Sequence, residues 1–341
     1  MSQSAIQRIL PLTFPWQTQD PFLFCVHHLD HYPEGDGNMA PKASLQGRQI
    51  GMDFSGKDGW SMYHGDKVPG FPMHPHRGFE TITIARQGYI DHSDSLGATA
   101  RFGNGDVQWM TAGNGVVHSE MFPLVHDDKP NPTELFQIWL NLPSKSKRVD
   151  GYFTMLWGPS IPCKTMEDLQ GNTIEVRIIA GSFDDLKPPS PPPHSWASQP
   201  EADVAIWTLR LGPNATWTLP ATQQGLSRSL FFFSGNSITL EGKSVKPGHV
   251  AELNSDVSCQ IVNGETESEL LLLQGRPIGE PVVQQGPFVM NTQAEIVETI
   301  MEYRRTGFGG WPWSSDAPVH HNEKGRFAIH ADGRNEEPAQ S

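Results

Sequence analysis

The sequence predicts an all-β protein of two tandem β-barrels with one C-terminal helix, on three observations. Seven segments alternate at period two: ETITIARQG, DVQWM, ELFQIWLNL, TIEVRIIAG, DVAIWTLRLG, SLFFFSG and SITLEG. Each is bounded by Gly, Pro, Asn or Asp, the punctuation of strands and hairpins. Composition agrees, with 33 glycines and 29 prolines against a modest 37% hydrophobic content. The third observation is an internal echo. TITIARQG followed by NGDVQWM in the first half is matched by SLFFFSG followed by KPGHVAEL in the second. In each, a strand ends at a glycine (Gly88, Gly235) and a later Gly-x-Val opens the next (Gly105, Gly248).

The bulk numbers restrict what such a fold can do. A length of 341 residues leaves room for two domains or for one large all-β unit. The formal net charge is −13 with no dense Lys/Arg run, which argues against direct binding to a nucleic-acid backbone. Cys25, Cys163 and Cys259 are few, odd in number and in no CxxC, so a reducing compartment is expected. MSQSAIQRILPLTFPW has no sustained apolar stretch, and no window approaches eighteen apolar residues. The expectation is a cytoplasmic protein without membrane partners.

Along the chain, GNGDV at Gly103 to Val107 sets a tight connection before the apolar Val107 and Trp109. A short helix is expected over Lys164 to Leu169, and KPPSPPPHSWASQP, Lys187 to Pro200, reads as a long irregular loop. The convincing helical pattern is late. In TQAEIVETIMEYRRTGFGG, Thr292 and Glu295 form a capping box, Ile296, Ile300, Met301 and Tyr303 follow at helical spacing, and Gly307 is a stop. Past Gly310 the chain is polar and irregular, and a loosely held tail is expected.

Two short patterns carry chemistry. In HPHRGFETITIARQG, His74 and His76 stand two apart, so on a strand both imidazoles face the same side. Among 14 histidines one such pair is unspecific, and a pair of hydrogen-bonded histidines on a sheet edge fits equally. A second pair changes the balance: in TAGNGVVHSEMF, His118 and Glu120 repeat the spacing after a glycine-rich turn. Meeting inside one barrel, three imidazoles and a carboxylate would hold a divalent transition metal with coordination positions open. Iron, as Fe(II), leads; Mn, Ni, Co, Cu and Zn share the ligand chemistry. Glu80, in phase with His74 and His76, competes for the fourth position, its plainer role being an acceptor that orients an imidazole or Arg77. Asp91 and Asp106 read as turn residues, and His64, His92, His126 and His249 as polar surface residues. His27, His28 and His31 cluster in FCVHHLDHYPEG, but His27 and His28 would point to opposite faces of a strand. Phe79, Ile82, Trp109 and Met110 are candidates both for core and for the lining of a barrel that receives a flat ligand.

These motifs give a resemblance. HPHRGFET, GDVQWMTAG, the GxxHSEM segment at Gly115 to Met121, QIWLNLP and GPFVMNT are similar to signatures of the pirin family of bicupins. The resemblance runs from DPFLF at Asp20 to the helix around Arg305. His74, His76 and Glu80 also satisfy the general first cupin motif. Four residues separate Gly113 from His118 where general cupins have two, a departure that pirins share. The resemblance implies two jelly-roll barrels: residues 20–160 as a metal-binding cupin, and 161–310 as a second cupin without metal ligands, with the C-terminal helix. Residues 1–19 are then an N-terminal segment and 311–341 an extension that shorter pirins lack.

The family's ligand pattern, carried over, is His74, His76, His118 and Glu120, with Glu80 as the fallback. Some pirins act as quercetin 2,3-dioxygenases, which implies a small aromatic substrate, O2, and Glu120 as general base. Animal pirins resemble redox-responsive regulators, which implies the alternative of a metal switch acting through a transcription-factor or enzyme partner. A metal-dependent isomerase or a non-turnover binder of aromatic ligands would use the same scaffold.

Overall fold

A computed structural model describes residues 4–339, whose regular secondary structure is almost all β-strand, with one α-helix. The first strands are β1 (Ile6–Pro11), β2 (Trp16–Gln17), β3 (Phe22–Tyr32), β4 (Gly70–His76) and β5 (Phe79–Gln87). Then come β6 (Tyr89–Asp94), β7 (Thr99–Gly103), β8 (Val107–Thr111), β9 (Val116–Met121), β10 (Asn131–Asn141) and β11 (Tyr152–Leu156). The second half carries β12 (Cys163–Glu167), β13 (Thr173–Ala180), β14 (Ala205–Leu211), β15 (Thr216–Leu219) and β16 (Ser227–Ser234). It continues with β17 (Ile238–Leu240), β18 (Lys243–Val245), β19 (His249–Leu253), β20 (Cys259–Asn263) and β21 (Ser268–Gly275). The chain ends with β22 (Val283–Gln285), β23 (Phe288–Met290), α1 (Gln293–Thr306), β24 (Phe327–Ile329) and β25 (Asn335–Glu336).

Two compact units result, both discontinuous: Met1–Cys25 with Ser160–Gly279, and Val26–Pro159 with Glu280–Ser341. The linear partition therefore shifts at both ends. Residues 1–19 are not a separate segment, because β1 pairs with β19 as an edge strand of the second barrel. The helix and the extension, in turn, fold with the first barrel. The chain passes from one unit to the other within β3.

The internal echo has a structural counterpart. In one unit a sheet runs β11-β8-β5-β10-β3, and in the other β1-β19-β16-β21-β14, so β5 corresponds to β16 and β8 to β19. The opposing sheets, β7-β6-β9-β4 and β18-β17-β20-β15, correspond strand for strand. β15 thus stands where β4 carries His74 and His76. There Trp217 and Leu219, with Cys259 and Ile261 from β20, fill the interior with apolar side chains. The second barrel has a packed core where the first has imidazoles.

Sequence expectations hold at α1. Thr292 Oγ1 accepts from the Glu295 amide at 3.3 Å, Glu295 Oε2 accepts from the Asn291 amide at 3.1 Å, and Gly307 ends the helix at φ 57°. Ile296 is buried and Ile300 and Tyr303 pack beside it, but Met301 is 65% exposed and lies off the buried stripe.

Two local expectations fail. Residues 163–167 form strand β12, not a helix, since Met166 at period two packs on the second core and pairs with Ile174 of β13. The tail is not loose over its described residues, and residues 340–341 lie outside them. Its β24 adds to β7, with Ala328 opposite Ala100, and Phe327 and Ala328 are buried.

Candidate metal centre

The centre is built on four strands of the first barrel. β4 and β9 pair antiparallel with His74 opposite His118, and a register shift between Phe71 and His74 sets that match. His76, two residues on, faces the same side. One ring nitrogen from each of His74, His76 and His118 lies within 4.8 Å of the others. Gly115, at φ 127°, opens β9 against the Phe308 ring, where a Cβ would come within 2.7 Å of ring carbons.

The ring nitrogens are disposed for a cation. His74 Nδ1 donates to the Pro72 carbonyl at 2.8 Å, which leaves Nε2 as its lone-pair nitrogen. His76 Nδ1 and both nitrogens of His118 are buried without any hydrogen-bond partner. Buried polar atoms ordinarily have partners, so this cluster is chemically incomplete in a way a metal would complete. Burial also holds the imidazoles neutral: it pushes His74 down to about 4, and His76 and His118 well below the usual histidine range. Neutral imidazole is the metal-binding form. The residues present fit a divalent transition metal.

Glu120, two residues after His118 and on the same face, places Oε2 3.8 Å from His118 Nε2. Thr83 Oγ1 donates to its Oε1 at 3.0 Å and Gln137 Nε2 to its Oε2 at 2.6 Å. Burial raises its pKa above the ordinary carboxylate value, opposed by nearby His92 and by these two donors. A carboxylate so held is oriented toward the imidazoles and is a stronger base than an exposed one.

Glu80 takes no part in this cluster. The strand of His74 and His76 ends at His76, and Gly78 turns the chain at φ 87°, where a Cβ would lie 1.9 Å from the Val289 carbonyl oxygen. Glu80 is therefore on β5, three residues from Thr83. An odd separation puts it on the opposite face from the side chain that touches Glu120. It accepts instead from Thr111 Oγ1 at 2.6 Å.

Above the histidines a cavity of about 560 Å3 opens between Phe71, Met73, Trp139, Pro287 and Asp316, with His74, His76, Glu120 and Gln137 among its lining. Trp139 packs 5.2 Å from the His76 ring and stacks on Phe79 at 4.0 Å. The aromatic walls are thus Phe71 and Trp139, and of the two roles open to Phe79, Ile82, Trp109 and Met110 the structure gives core. Ile82 and Trp109 pair with one another on the face of β5 that carries Glu80, and Met110 joins the barrel core.

Sequence reasoning missed His92, taken for a surface residue. It is fully buried on β6, opposite Glu120, with its ring 5.4 Å from His118 and its Nε2 3.1 Å from Asp94 Oδ2. Its only sequence signal was its place in YIDHSD, two residues before Asp94. His64, at the cavity rim, was also passed over. Asp91 is not a turn residue but a buried partner of Arg101 at 2.7 Å, whereas Asp106 does cap a turn through the Gly103 amide. His27 and His28 diverge to Glu134 and Tyr63.

Comparisons with known proteins bear on the fold and the family. The family description "Pirin" matches residues 18–140 and "Pirin C-terminal cupin domain" residues 206–309. A Pseudomonas aeruginosa protein named "Putative quercetin 2,3-dioxygenase" is 34% identical over 70% of this chain and 80% of its own. Human "Pirin" is 31% identical over 72% of this chain and 80% of its own. A crystal structure of quercetin 2,3-dioxygenase from Acinetobacter baumannii superposes with a TM-score of 0.68 at 27% identity, covering 90% of this chain and 96% of that one.

Proposed function

The chain belongs to the pirin family, and from that premise we propose that it is an Fe(II)-dependent dioxygenase opening flavonol-type aromatics with O2, as quercetin 2,3-dioxygenases do. The observation that carries the reading is the Glu120 carboxylate, held by Thr83 and Gln137 3.8 Å from His118 Nε2, at the inner end of an aromatic-walled cavity.

In this reading His74 Nε2, His76 Nδ1, a His118 nitrogen and Glu120 hold the metal. The metal supplies Lewis acidity that lowers the pKa of a substrate hydroxyl, and one-electron chemistry toward dioxygen. The chain's own residues do the rest. Phe71 and Trp139 bracket a flat ring system, which positions the hydroxyl-bearing carbon toward the histidines. Glu120 takes the hydroxyl proton, and burial suits it to that role by raising its pKa above the ordinary carboxylate value. Thr83 and Gln137 donate to the carboxylate and hold its orientation while it is charged. The deprotonated flavonol is then the electron-rich partner of O2, and ring opening releases carbon monoxide.

The test is elemental analysis of the purified protein, followed by anaerobic titration with quercetin and admission of oxygen. About one iron per chain, with oxygen-dependent loss of flavonol absorbance that disappears in Glu120→Ala, is the expected result. Bound metal without turnover would sink the dioxygenase reading.

A further inference from the structure

We propose that the second barrel carries a binding site for a small carboxylate bearing an N–H or O–H donor, held by Arg228 and Gln274. The two side chains are neighbours by register, Arg228 of β16 lying opposite Gln274 of β21. On the same inward faces the strands continue at period two into core residues: Leu230 and Phe232 after Arg228, Leu272 and Leu270 before Gln274. Two polar side chains at one end of an otherwise apolar barrel interior need a reason.

Their partners are incomplete. Arg228 is 2% exposed and Gln274 4%. The guanidinium donates from Nη1 to the Pro220 carbonyl at 2.7 Å, but Nε is buried with no partner. Among the described residues it forms no ion pair. Gln274 Nε2 donates to the Asp203 carbonyl at 3.3 Å; because that partner only accepts, the amide orientation is fixed and Oε1 is left as a buried acceptor with no partner. A buried cation without an ion-pair partner, beside a free acceptor, is costly without an occupant.

A cavity of about 200 Å3 lies against both groups, lined also by Phe183, Trp207, Thr222, Asp184 and Asp203. At roughly 30 Å3 per water this is space for a few waters or a small organic anion. A carboxylate answers the Arg228 donors, and a hydroxyl or amino group on the adjacent carbon answers Gln274 Oε1. Asp184 and Asp203 in the lining oppose a second negative charge, which limits the ligand to a monocarboxylate.

The test is calorimetric titration of the metal-loaded full-length protein with glycolate, and with acetamide as a neutral control. Glycolate should bind with a Kd tighter than about 1 mM, acetamide should not, and chelation of the metal should leave glycolate binding unchanged. Arg228→Met and Gln274→Leu should each weaken it at least tenfold while metal content and quercetin turnover stay as in the parent. Removing an unpaired buried cation should leave the melting temperature of Arg228→Met level or raised; if that variant fails to fold, Gln274→Leu decides. No glycolate binding, equal binding in the folded variants, or loss of binding on chelation would overturn the proposal.

Discussion

His118 on β9 sits directly across the antiparallel ladder from His74 on β4, with ring centroids 4.5 Å apart. A one-residue slip would send one imidazole to the other face of the sheet, so the register itself assembles the centre. His118→Ala is therefore expected to lose the metal, by well over the roughly 10–100-fold that loss of a residue supporting a ligand costs. The barrel should remain, because the neighbouring core of Ile90, Phe102, Met110 and Phe153 does not include the imidazole. Elemental analysis beside far-UV circular dichroism checks both halves; collapse of the fold would make the histidine structural.

Glu120 can be divided into ligand and base by two substitutions. Glu120→Gln keeps an oxygen that can coordinate but removes the proton acceptor. Metal content should stay near that of the parent while turnover falls by about 10²–10⁴, the usual worth of a positioned acid or base. Gln137→Leu removes a donor to the ionised carboxylate, raising its pKa further, so the acid limb of the rate profile should move to higher pH. An unmoved acid limb would assign the base to another group.

Much of this was legible in the sequence for a simple reason. His74, His76, His118 and Glu120 lie on strands, where period two converts spacing into direction, and the strands alternate clearly enough to be seen. What strand ends hide was not legible. Glu80 looks in phase with His76 only if Gly78 is read as strand interior; its left-handed turn breaks the phase. His92 was invisible because its burial comes from β9 and the tail covering β6 and β7, and the β12 strand because only packing of Met166 decides it. The same holds for the termini, whose placement with the other barrel depends on long-range strand pairing that no local pattern announces.

Asp30 carries a pH signature. Its carboxylate accepts from the Ser61 amide at 2.9 Å and from Tyr63 Oη at 2.8 Å, yet burial pushes its pKa up to about 6. A carboxyl raised on folding binds more protons in the native state. Its contribution to stability is full below the ordinary value near 4 and is lost as pH rises through about 6. Urea midpoints of the parent should thus fall, relative to those of Asp30→Asn, between pH 4 and pH 6 and stay level above. Parallel midpoints across that window would show the carboxyl ionised at its ordinary value.

The extension beyond Gly310 is expected to be structural and to shape the cavity. Arg101, buried and paired with Asp91, donates to the carbonyls of His320, His321 and Lys324 at 2.9, 2.8 and 3.0 Å. Trp313 Nε1 donates to the Asp94 carbonyl at 2.8 Å, and the Met73 amide to that of Asp316 at 2.7 Å, so the tail is tied to β4 and β6 beside the histidines. Truncation after Gly310 leaves the Arg101 guanidinium with two of its five acceptor bonds, those to Asp91, and bares the β7 edge. Lost charge-assisted bonds of about 1.5–3 kcal/mol each put the destabilisation at several kcal/mol. Metal binding should survive, since none of the four residues proposed to hold the metal lies in the tail. In the full-length chain, Asp316→Ala removes a cavity-wall carboxylate without touching its backbone bond to Met73. It should change KM for quercetin while leaving kcat and the urea midpoint close to the parent's. An Asp316→Ala variant that loses stability instead would mean that the carboxylate serves the fold rather than the ligand.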